Sequence, residues 1–208
     1  MIYAVINSKG GVGKTTIAVH LATHFAKTAS TLLIDGDPQA SAASWAAWRR
    51  DAGTSISPNT TSLLGKAILD EGRPLSSKFT HAVVDAGGRD SAGLRAALLL
   101  ADHALVPVIA SQLDAAALTD VLAIIDMAKD FNPALTVRVL LNRIDTRTKD
   151  TADMLTYLAT KDLNVCTSLL AERVAYRRAV GEGLTVTEYG KDPAAVREIK
   201  ALFAELTQ

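Results

Sequence analysis

Eight residues near the amino terminus have the types and the spacing of a loop that binds phosphate groups. They read Lys-Gly-Gly-Val-Gly-Lys-Thr-Thr from Lys9 to Thr16 and come just after the apolar run from Ile2 to Ile6. A loop holds a triphosphate by pointing several backbone N–H groups inward, and side chains on its glycines would obstruct that approach. We therefore expect a strand, a phosphate-binding turn and a helix in succession.

Two side chains of this loop complete a predicted site for ATP and Mg²⁺. Lys14 is placed to reach the β and γ phosphates, and the Thr15 hydroxyl is placed to bind the metal ion. The helix that begins near Gly13 adds free N–H groups and the positive end of its dipole. Ser8 stands where the pattern G-x-x-x-x-G-K-S/T has its first glycine, but the variant K-G-G-x-G-K-S/T, which includes Lys9, matches throughout.

Acid and amide side chains also follow three other apolar runs, at the point where each run ends. Asp35 and Asp37 follow the first, Asp85 follows the second, and Asn142 and Arg143 follow the third. In open parallel sheets, ligands collect beyond the carboxyl ends of the strands. We therefore expect these residues to lie close to the phosphate-binding loop.

The residue types at these strand ends suggest separate roles. Asp85 has the position of a carboxylate that holds Mg²⁺ through a water molecule, and Gly87 and Gly88 leave room for a γ-phosphate. The alternative for Asp85 is a cap on the following helix. The Asn142 amide offers a donor and an acceptor, which suits an adenine edge, although an asparagine that completes a turn has the same pattern. Asp114, before three alanines, is typical of a plain helix N-cap.

Short runs rich in β-branched residues alternate with helical patterns, which predicts repeated βα units around a parallel sheet. The predicted strands are Ile2–Ile6, Thr31–Ile34, His81–Val84, Ala104–Val108 and Thr136–Leu141. The predicted helices are Lys14–Thr28, Ser41–Asp51, Ser62–Glu71, Arg89–Ala101, Ala115–Phe131 and Asp150–Lys161. The segment Gly53–Ser62 is predicted to be a loop. The expected fold is α/β: one domain over residues 1–208, with a doubly wound, mostly parallel sheet and helices on both faces.

Composition narrows the classes of protein that fit. The 208 residues include 22 Lys and Arg and 22 Asp and Glu, so no global positive field draws the chain to nucleic acid. Its apolar stretches are far too short to cross a bilayer of about 30 Å. The single cysteine, Cys166, excludes an internal disulfide and a four-cysteine metal site within one chain. With the loop starting so early, we expect no signal peptide, no membrane partner and a cytoplasmic protein.

The phosphate loop resembles the deviant Walker A motif of the ParA/MinD family of ATPases, and the segment Asp35–Gln39 resembles the switch I segment of that family. The resemblance implies a P-loop NTPase in which Lys9 reaches the nucleotide of a partner subunit, Asp37 orients the attacking water and Asp35 lies near Mg²⁺. The expected catalytic residues are Lys9, Lys14 and Asp37, and the expected metal residues are Thr15, Asp35 and Asp85. The expected nucleotide-binding residues are Lys9, Gly10, Gly11, Val12, Gly13, Lys14, Thr15, Thr16, Gly88, Asn142 and Arg143.

The segment 173–188 extends this resemblance to the short plasmid-partition ParA proteins. It implies an ATP-dependent homodimer that binds DNA without sequence preference, associates with the nucleoid and hydrolyses ATP slowly until a centromere-binding protein stimulates it. A dimer doubles each local basic patch. Cations that are too sparse on one subunit to bind DNA can therefore bind it when two subunits act together. The candidate DNA-binding residues are Arg147, Lys149, Arg173, Arg177, Arg178, Arg197 and Lys200.

Several alternatives stay open at this point. The cargo is a plasmid, a chromosome or a protein body such as a carboxysome or a chemoreceptor cluster. A membrane-associated ATPase similar to MinD would need a basic amphipathic carboxyl-terminal helix, whereas the helix from Pro193 onward has the pattern of a docked helix. An iron–sulfur protein of this fold would need more thiolates than Cys166 supplies, and a ligase similar to dethiobiotin synthetase gives Lys9 no evident purpose.

Overall fold

Six strands form one sheet in which every strand pair is parallel. The computed structural model describes residues 1–88, 91–145, 147–161 and 163–207. The strand order is β3-β2-β4-β1-β5-β6. The strands are β1 (Ile2–Val5), β2 (Thr31–Gly36), β3 (Asn59–Ser62), β4 (His81–Ala86), β5 (His103–Val108) and β6 (Thr136–Leu141).

The described residues form ten helices, which pack on both faces of the sheet. They are α1 (Lys14–Ala26), α2 (Ser41–Asp51), α3 (Ala67–Asp70), α4 (Gly72–Ser76), α5 (Ser91–Leu100), α6 (Gln112–Lys129), α7 (Lys149–Ala159), α8 (Val174–Gly181), α9 (Val186–Tyr189) and α10 (Pro193–Leu206). One core contains residues of α3, α5, α6 and α7, and the other contains residues of α1, α2, α8, α9 and α10.

Successive residues of β1 alternate between these two cores. Ala4 and Ile6 belong to the first core, whereas Tyr3 and Val5 belong to the second. Because side chains on a strand point alternately to opposite faces, a strand that is covered on both faces is apolar at every position. This double burial explains why the central strands appear in the sequence as continuous apolar runs.

The central position of β1 places the phosphate loop between the ends of its neighbours. β1 pairs with β4 on one side and with β5 on the other. β2 also pairs with β4, and Asp35 lies directly opposite Asp85 in the register of these two strands. The carboxyl ends of β1, β2 and β4 therefore bring the loop and both acids to one edge of the sheet, as the sequence predicted.

The expected α/β fold with helices on both faces is confirmed, and the sheet is parallel in all six described strands. The prediction of a loop over Gly53–Ser62 was wrong at its end, because Asn59–Ser62 form the edge strand β3. β3 is polar, so it lacks the apolar run that marks the buried strands. The helix predicted at Ser62–Glu71 was also wrong: Ser62 ends β3, and two short helices follow.

The carboxyl-terminal helix α10 packs against the second core, as its apolar stripe predicted. Its buried residues are Ala195, Ile199, Leu202, Phe203 and Leu206. None of the helices in the described part of the chain is long and apolar enough to span a membrane. The predicted helix Arg89–Ala101 begins at residues outside the described ranges, and the described helix there is α5.

Both tryptophans of the chain lie on α2. Trp45 is fully buried in the second core, and its indole N–H lies 3.4 Å from the backbone oxygen of Leu184. Trp48 is 45% exposed. The side chain of Trp45 therefore belongs to the core, whereas that of Trp48 is partly open to solvent.

A buried histidine connects α1 to α9. The backbone N–H of Val186 donates to Nε2 of His20 over 2.8 Å, so the neutral ring carries its proton on Nδ1, which donates to the Thr16 carbonyl oxygen over 2.6 Å. The ring also meets Tyr176 edge to face. Burial lowers the pKa of His20 to about 4. The folded protein therefore holds this ring in its neutral form.

We expect acid to weaken the fold through His20. As pH falls below the pKa of about 6.5 that the ring has in the unfolded chain, only the unfolded state takes up the proton. Unfolding free energy should therefore fall by about 3 kcal/mol between about pH 6.5 and pH 4. Urea unfolding across this range measures the effect. His20→Gln should reduce the pH dependence of the unfolding free energy, because its amide does not titrate. Some pH dependence should remain, since the other histidines still titrate. An unchanged pH dependence would contradict the role of His20.

Candidate active site

The phosphate loop has the backbone shape that its glycines predicted. Gly13 is the N-cap of α1 and has φ 94°, and Gly11 has φ 78°, both in the left-handed region that favours glycine. A Cβ at Gly13 would lie 2.3 Å from Nδ2 of Asn142. Position 13 therefore excludes other residues for two independent reasons.

Lys14 lies buried inside the loop, at the amino end of α1. Its Nζ donates to the backbone oxygen of Lys9 over 2.8 Å. A Cβ at Gly88 would lie 2.8 Å from the same Nζ, so Gly88 allows the chain after β4 to approach this ammonium group. Burial lowers the pKa of Lys14, while nearby Asp85 and Asp37 act in the opposite direction. A desolvated ammonium group in a loop is suited to bind phosphate.

Asp85 provides the strongest indication of a cation. The residue is buried, its Oδ2 has no hydrogen-bond partner among the described residues, and the Thr15 hydroxyl hydrogen-bonds to the carboxylate. Burial raises the pKa of Asp85 to about 7, although the bond from Thr15 lowers it. A hydroxyl beside a carboxylate with one unpaired oxygen fits Mg²⁺ or a water molecule of its shell. Thr15 and Asp85 would hold the ion, and the ion would neutralise charge on the phosphates.

Asp35 lies beside this position, but both of its oxygens are already occupied. Oδ2 accepts from the backbone N–H of Ala43 over 2.7 Å, and Oδ1 accepts from that of Asp37 over 3.1 Å. Burial is the main cause that raises the pKa of Asp35. Asp35 therefore holds the amino end of α2 beside Asp85, and its role near Mg²⁺ stays a prediction.

Asp37 lies just beyond the end of β2 and lines the same cavity as the phosphate loop. Its Oδ1 accepts from the backbone N–H of Gln39 over 2.9 Å. A Cβ at Gly87 would come within 3.1 Å of the Asp37 Cα, so the chains after β2 and β4 approach closely here. The carboxylate therefore borders the cavity beside the phosphate loop, and its role in orienting water stays a prediction.

Lys9 forms an ion pair that the sequence analysis missed. Its Nζ lies 2.7 Å from Oδ2 of Asp114, and the side chains are 34% and 3% exposed. The Ser111 hydroxyl also donates to Oδ2 of Asp114. Ser111 is the N-cap of α6, so the interpretation of Asp114 as a plain N-cap was wrong. Its proximity to Lys9 had no local signal in the sequence, because 105 positions separate the two residues.

Asn142 and Arg143 lie against the phosphate loop. Nδ2 of Asn142 donates to the Val12 oxygen over 2.7 Å, and Nη1 of Arg143 donates to the Gly11 oxygen over 2.6 Å. Arg143 has φ 54° and also forms an ion pair with Glu172. One amide N–H of Asn142 thus helps to hold the loop, while both residues also line the cavity beside it. Recognition of adenine by Asn142 stays a prediction.

A cavity of about 790 Å³ extends from the phosphate loop to α8. Its volume lies in the range typical of sites for small molecules. The predicted residues that line it are Gly10, Gly11, Gly13, Lys14, Thr15, Thr16, Asp37, Gly88, Asn142 and Arg143. The wall away from the phosphates includes Leu170, Ala171, Glu172, Arg173, Tyr176 and Arg177. The segment around residue 173 therefore borders the cavity that the phosphate loop lines.

The predicted DNA-binding residues fall into two groups. Arg173 is paired with Glu198 at 2.6 Å, and Arg147 is paired with Asp145 at 2.7 Å. Arg177 lies 3.9 Å from Glu172 at the edge of the cavity. Within the described ranges, no ion pair engages the exposed residues Lys149, Arg178, Arg197 and Lys200. Arg147 and Arg173 are therefore less suited to DNA than the sequence suggested.

The sequence of the whole domain agrees with this geometry. A family model described as the CobQ/CobB/MinD/ParA nucleotide binding domain, CbiA, matches residues 3–186. The chain belongs to this family. It is a ParA/MinD-type ATPase. The CbiA match includes the phosphate loop, the carboxylates of Asp35 and Asp37, and helix α8 in the wall of the cavity.

Individual members of the CbiA family are also similar to the chain. The proteins named Maintenance of carboxysome distribution protein A are 32% identical in Gloeobacter kilaueensis and 29% identical in Halothiobacillus neapolitanus. The matches cover 100% and 98% of this chain and 92% and 94% of those proteins. Among solved structures, apo McdA of Cyanothece has a TM-score of 0.79 at 20% identity, covering 99% of this chain and 98% of that one. The structural likeness confirms the fold.

We expect Asp85→Asn to remove the contribution of Mg²⁺ to ATP affinity. The amide cannot supply the carboxylate charge at the unpaired Oδ2, so Mg²⁺ should tighten ATP binding by about tenfold or more in the native protein and by less than about twofold in the variant. Titration calorimetry with Mg²⁺ and with EDTA measures both. Asp51→Asn, at an exposed position on α2, is the matched control. Equal Mg²⁺ dependence in both variants would contradict the role of Asp85.

Proposed function

We propose that this ATPase positions a protein cargo of the carboxysome type. The observation that carries the proposal is the similarity over nearly full length to two proteins named for carboxysome distribution. The partition of plasmid or chromosome DNA, which the sequence analysis favoured, receives less support than the protein-cargo alternative. The partner is accordingly an adaptor on the cargo, in place of a centromere-binding protein.

ATP acts in this proposal by joining two copies of the chain. Lys9 is partly exposed and is held by Asp114 of its own chain. Binding of a second subunit carrying ATP would offer Lys9 the stronger charge of a triphosphate, which favours exchange of the internal ion pair for a contact across the interface. Asp37 then orients the water that attacks the γ-phosphate. Hydrolysis removes the charge that held Lys9 and releases the dimer.

DNA serves in this proposal as the surface on which the dimer moves. The chain has no net charge, so attachment depends on local cations that two subunits present together. The best candidates are the exposed residues that no described ion pair engages: Lys149, Arg178, Arg197 and Lys200. Phosphate contacts of this kind carry no sequence information, which suits a carrier that must bind anywhere along the nucleoid.

We expect DNA binding to require ATP, and Lys9→Ala to abolish it. In Asp37→Ala, DNA binding should persist with ATP while turnover falls by at least about a hundredfold, because the variant lacks the group that orients water but keeps the phosphate site. Fluorescence anisotropy with no nucleotide, ADP, ATP and a slowly hydrolysed analogue measures binding. Lys78→Ala, an exposed lysine distant in sequence from the loop, is the control. DNA binding of equal affinity with and without ATP would refute the dimer mechanism.

A second experiment distinguishes the two classes of cargo. In the cell that encodes this chain, deletion of its gene should cluster the protein bodies and leave plasmid inheritance unchanged. Fluorescence imaging of the bodies and a plasmid-loss assay in the same strain measure the two outcomes. Complementation with the native gene, but not with the Lys9→Ala gene, should restore even spacing. Rapid plasmid loss with normally spaced bodies would instead support DNA partition.

A further inference from the structure

A buried arginine on α2 lies outside the nucleotide site. Arg49 is 1% exposed, and its guanidinium group is hydrogen-bonded on every side. It donates to both oxygens of Glu188, at 2.7 and 2.9 Å, and to the Gly183 oxygen at 3.1 Å. It also donates to the Ile56 oxygen and to the Ser57 hydroxyl. One side chain thus joins α2 to the segment 183–188, which we call the corner. The corner follows α8 and includes the first three residues of α9.

The partner of Arg49 is held equally firmly. Burial alone would raise the pKa of Glu188, but hydrogen bonds from Arg49 and Thr185 lower it to about 2. The backbone N–H and the hydroxyl of Thr185 both donate to Oε2 of Glu188, at 2.7 and 2.8 Å. The Arg49 side chain is 1% exposed, whereas that of Glu188 is 26% exposed. Burying a charged side chain such as that of Arg49 is a costly way to stabilise a fold, because apolar residues of similar volume often serve as well. Stability alone therefore does not account for the Arg49–Glu188 pair, and its fixed geometry is the feature to explain.

The backbone of the corner fits directly against the last turn of α2. Gly183 has φ 71°, and a Cβ there would lie 2.4 Å from the Arg49 backbone nitrogen and 2.5 Å from the Trp48 carbonyl carbon. The Trp45 indole N–H adds a contact of 3.4 Å to the Leu184 oxygen. The carboxyl end of α2 therefore has little freedom to slide along the corner.

The amino end of α2 is held at the nucleotide site. Asp35 accepts from the backbone N–H groups of Asp37 and Ala43, which lie on either side of the start of the helix. An α-helix of 11 residues is a stiff rod of roughly 16 Å. A displacement at the Arg49 end therefore moves the Asp37 end as well.

The corner also meets the other two walls of the site. His20 of α1 accepts from the Val186 N–H and donates to the oxygen of Thr16, the last residue of the phosphate loop. α8, which leads into the corner, supplies Tyr176 and Arg177 to the cavity wall. Three helices that start at the nucleotide thus converge on this one polar junction.

We propose that Arg49 and Glu188 are positioning residues for ATP hydrolysis, which fix α2 against the corner so that Asp37 stands at the correct distance from the γ-phosphate. The inference rests on the role proposed for Asp37. Neither Arg49 nor Glu188 lines the cavity that contains the phosphate loop. Their contribution belongs to turnover, whereas ATP affinity depends on the phosphate loop.

The test separates turnover from binding in Arg49→Lys, Glu188→Gln and Trp45→Phe. Lysine keeps the charge but loses the fork that spans Glu188, Gly183 and Ile56, so kcat should fall about tenfold while the Kd for ATP changes by less than about twofold. Glu188→Gln keeps the size and should lower kcat about threefold. Trp45→Phe removes one contact and should lower kcat about twofold. Arg50→Lys, the exposed neighbour, is the matched control and should match the native protein.

Thermal unfolding of each variant completes the experiment. A lower Tm with native kcat would show that the pair is only structural and would overturn the inference, as would losses of kcat and ATP affinity in equal proportion. If Arg49→Lys does not fold, Glu188→Gln and Trp45→Phe decide, and native kcat in both would overturn it. Asp37→Ala is assayed in the same experiment. Normal turnover in Asp37→Ala would refute the role of Asp37. Loss of turnover in Asp37→Ala, together with native kcat in the variants of Arg49, Glu188 and Trp45, would refute only the positioning role of these residues.

Discussion

The desolvation of charged groups at the carboxyl ends of β2 and β4 is the constraint on which the rest of this structure depends. Lys14, Asp35 and Asp85 are all buried there. Burial lowers the pKa of the lysine and raises the pKa of both acids, so each group is costly to keep charged until an opposite charge arrives. A triphosphate with its metal ion brings both signs of charge at once. The sheet thus prepares the site by excluding water from it.

Contacts within the chain occupy the positions that phosphate would take. Lys14 binds the oxygen of Lys9, and Lys9 itself binds Asp114. Because charge-assisted contacts to phosphate are stronger than contacts to a backbone carbonyl, ATP would exchange weaker bonds for stronger ones at Lys14. Lys9 would exchange one anion, the Asp114 carboxylate, for another, the phosphate, so its exchange is more evenly balanced in free energy. This difference explains how one lysine could serve binding while the other serves assembly.

The sequence predicted those parts of the structure that depend on local spacing. The loop from Lys9 to Thr16, the buried strands and the acids at their ends each carry a pattern within a few residues. The polar edge strand β3 lacked such a pattern, and the ion pair between Lys9 and Asp114 joins residues 105 positions apart. The contact of Asn142 with the phosphate loop was equally inaccessible, because it depends on where Val12 lies in three dimensions. These features depend on strand register and on close approach of distant segments, which the sequence pattern does not show.

The placement of Trp45 and Trp48 on α2 gives the protein an intrinsic optical probe. Since the chain has no third indole, its tryptophan emission comes from one helix. The amino end of that helix adjoins the nucleotide site, and its carboxyl end adjoins the corner. One of these indoles is enclosed and the other faces solvent, so their signals differ in wavelength and in access to quenchers. Helix α2 can therefore be followed during each catalytic cycle in the unlabelled protein.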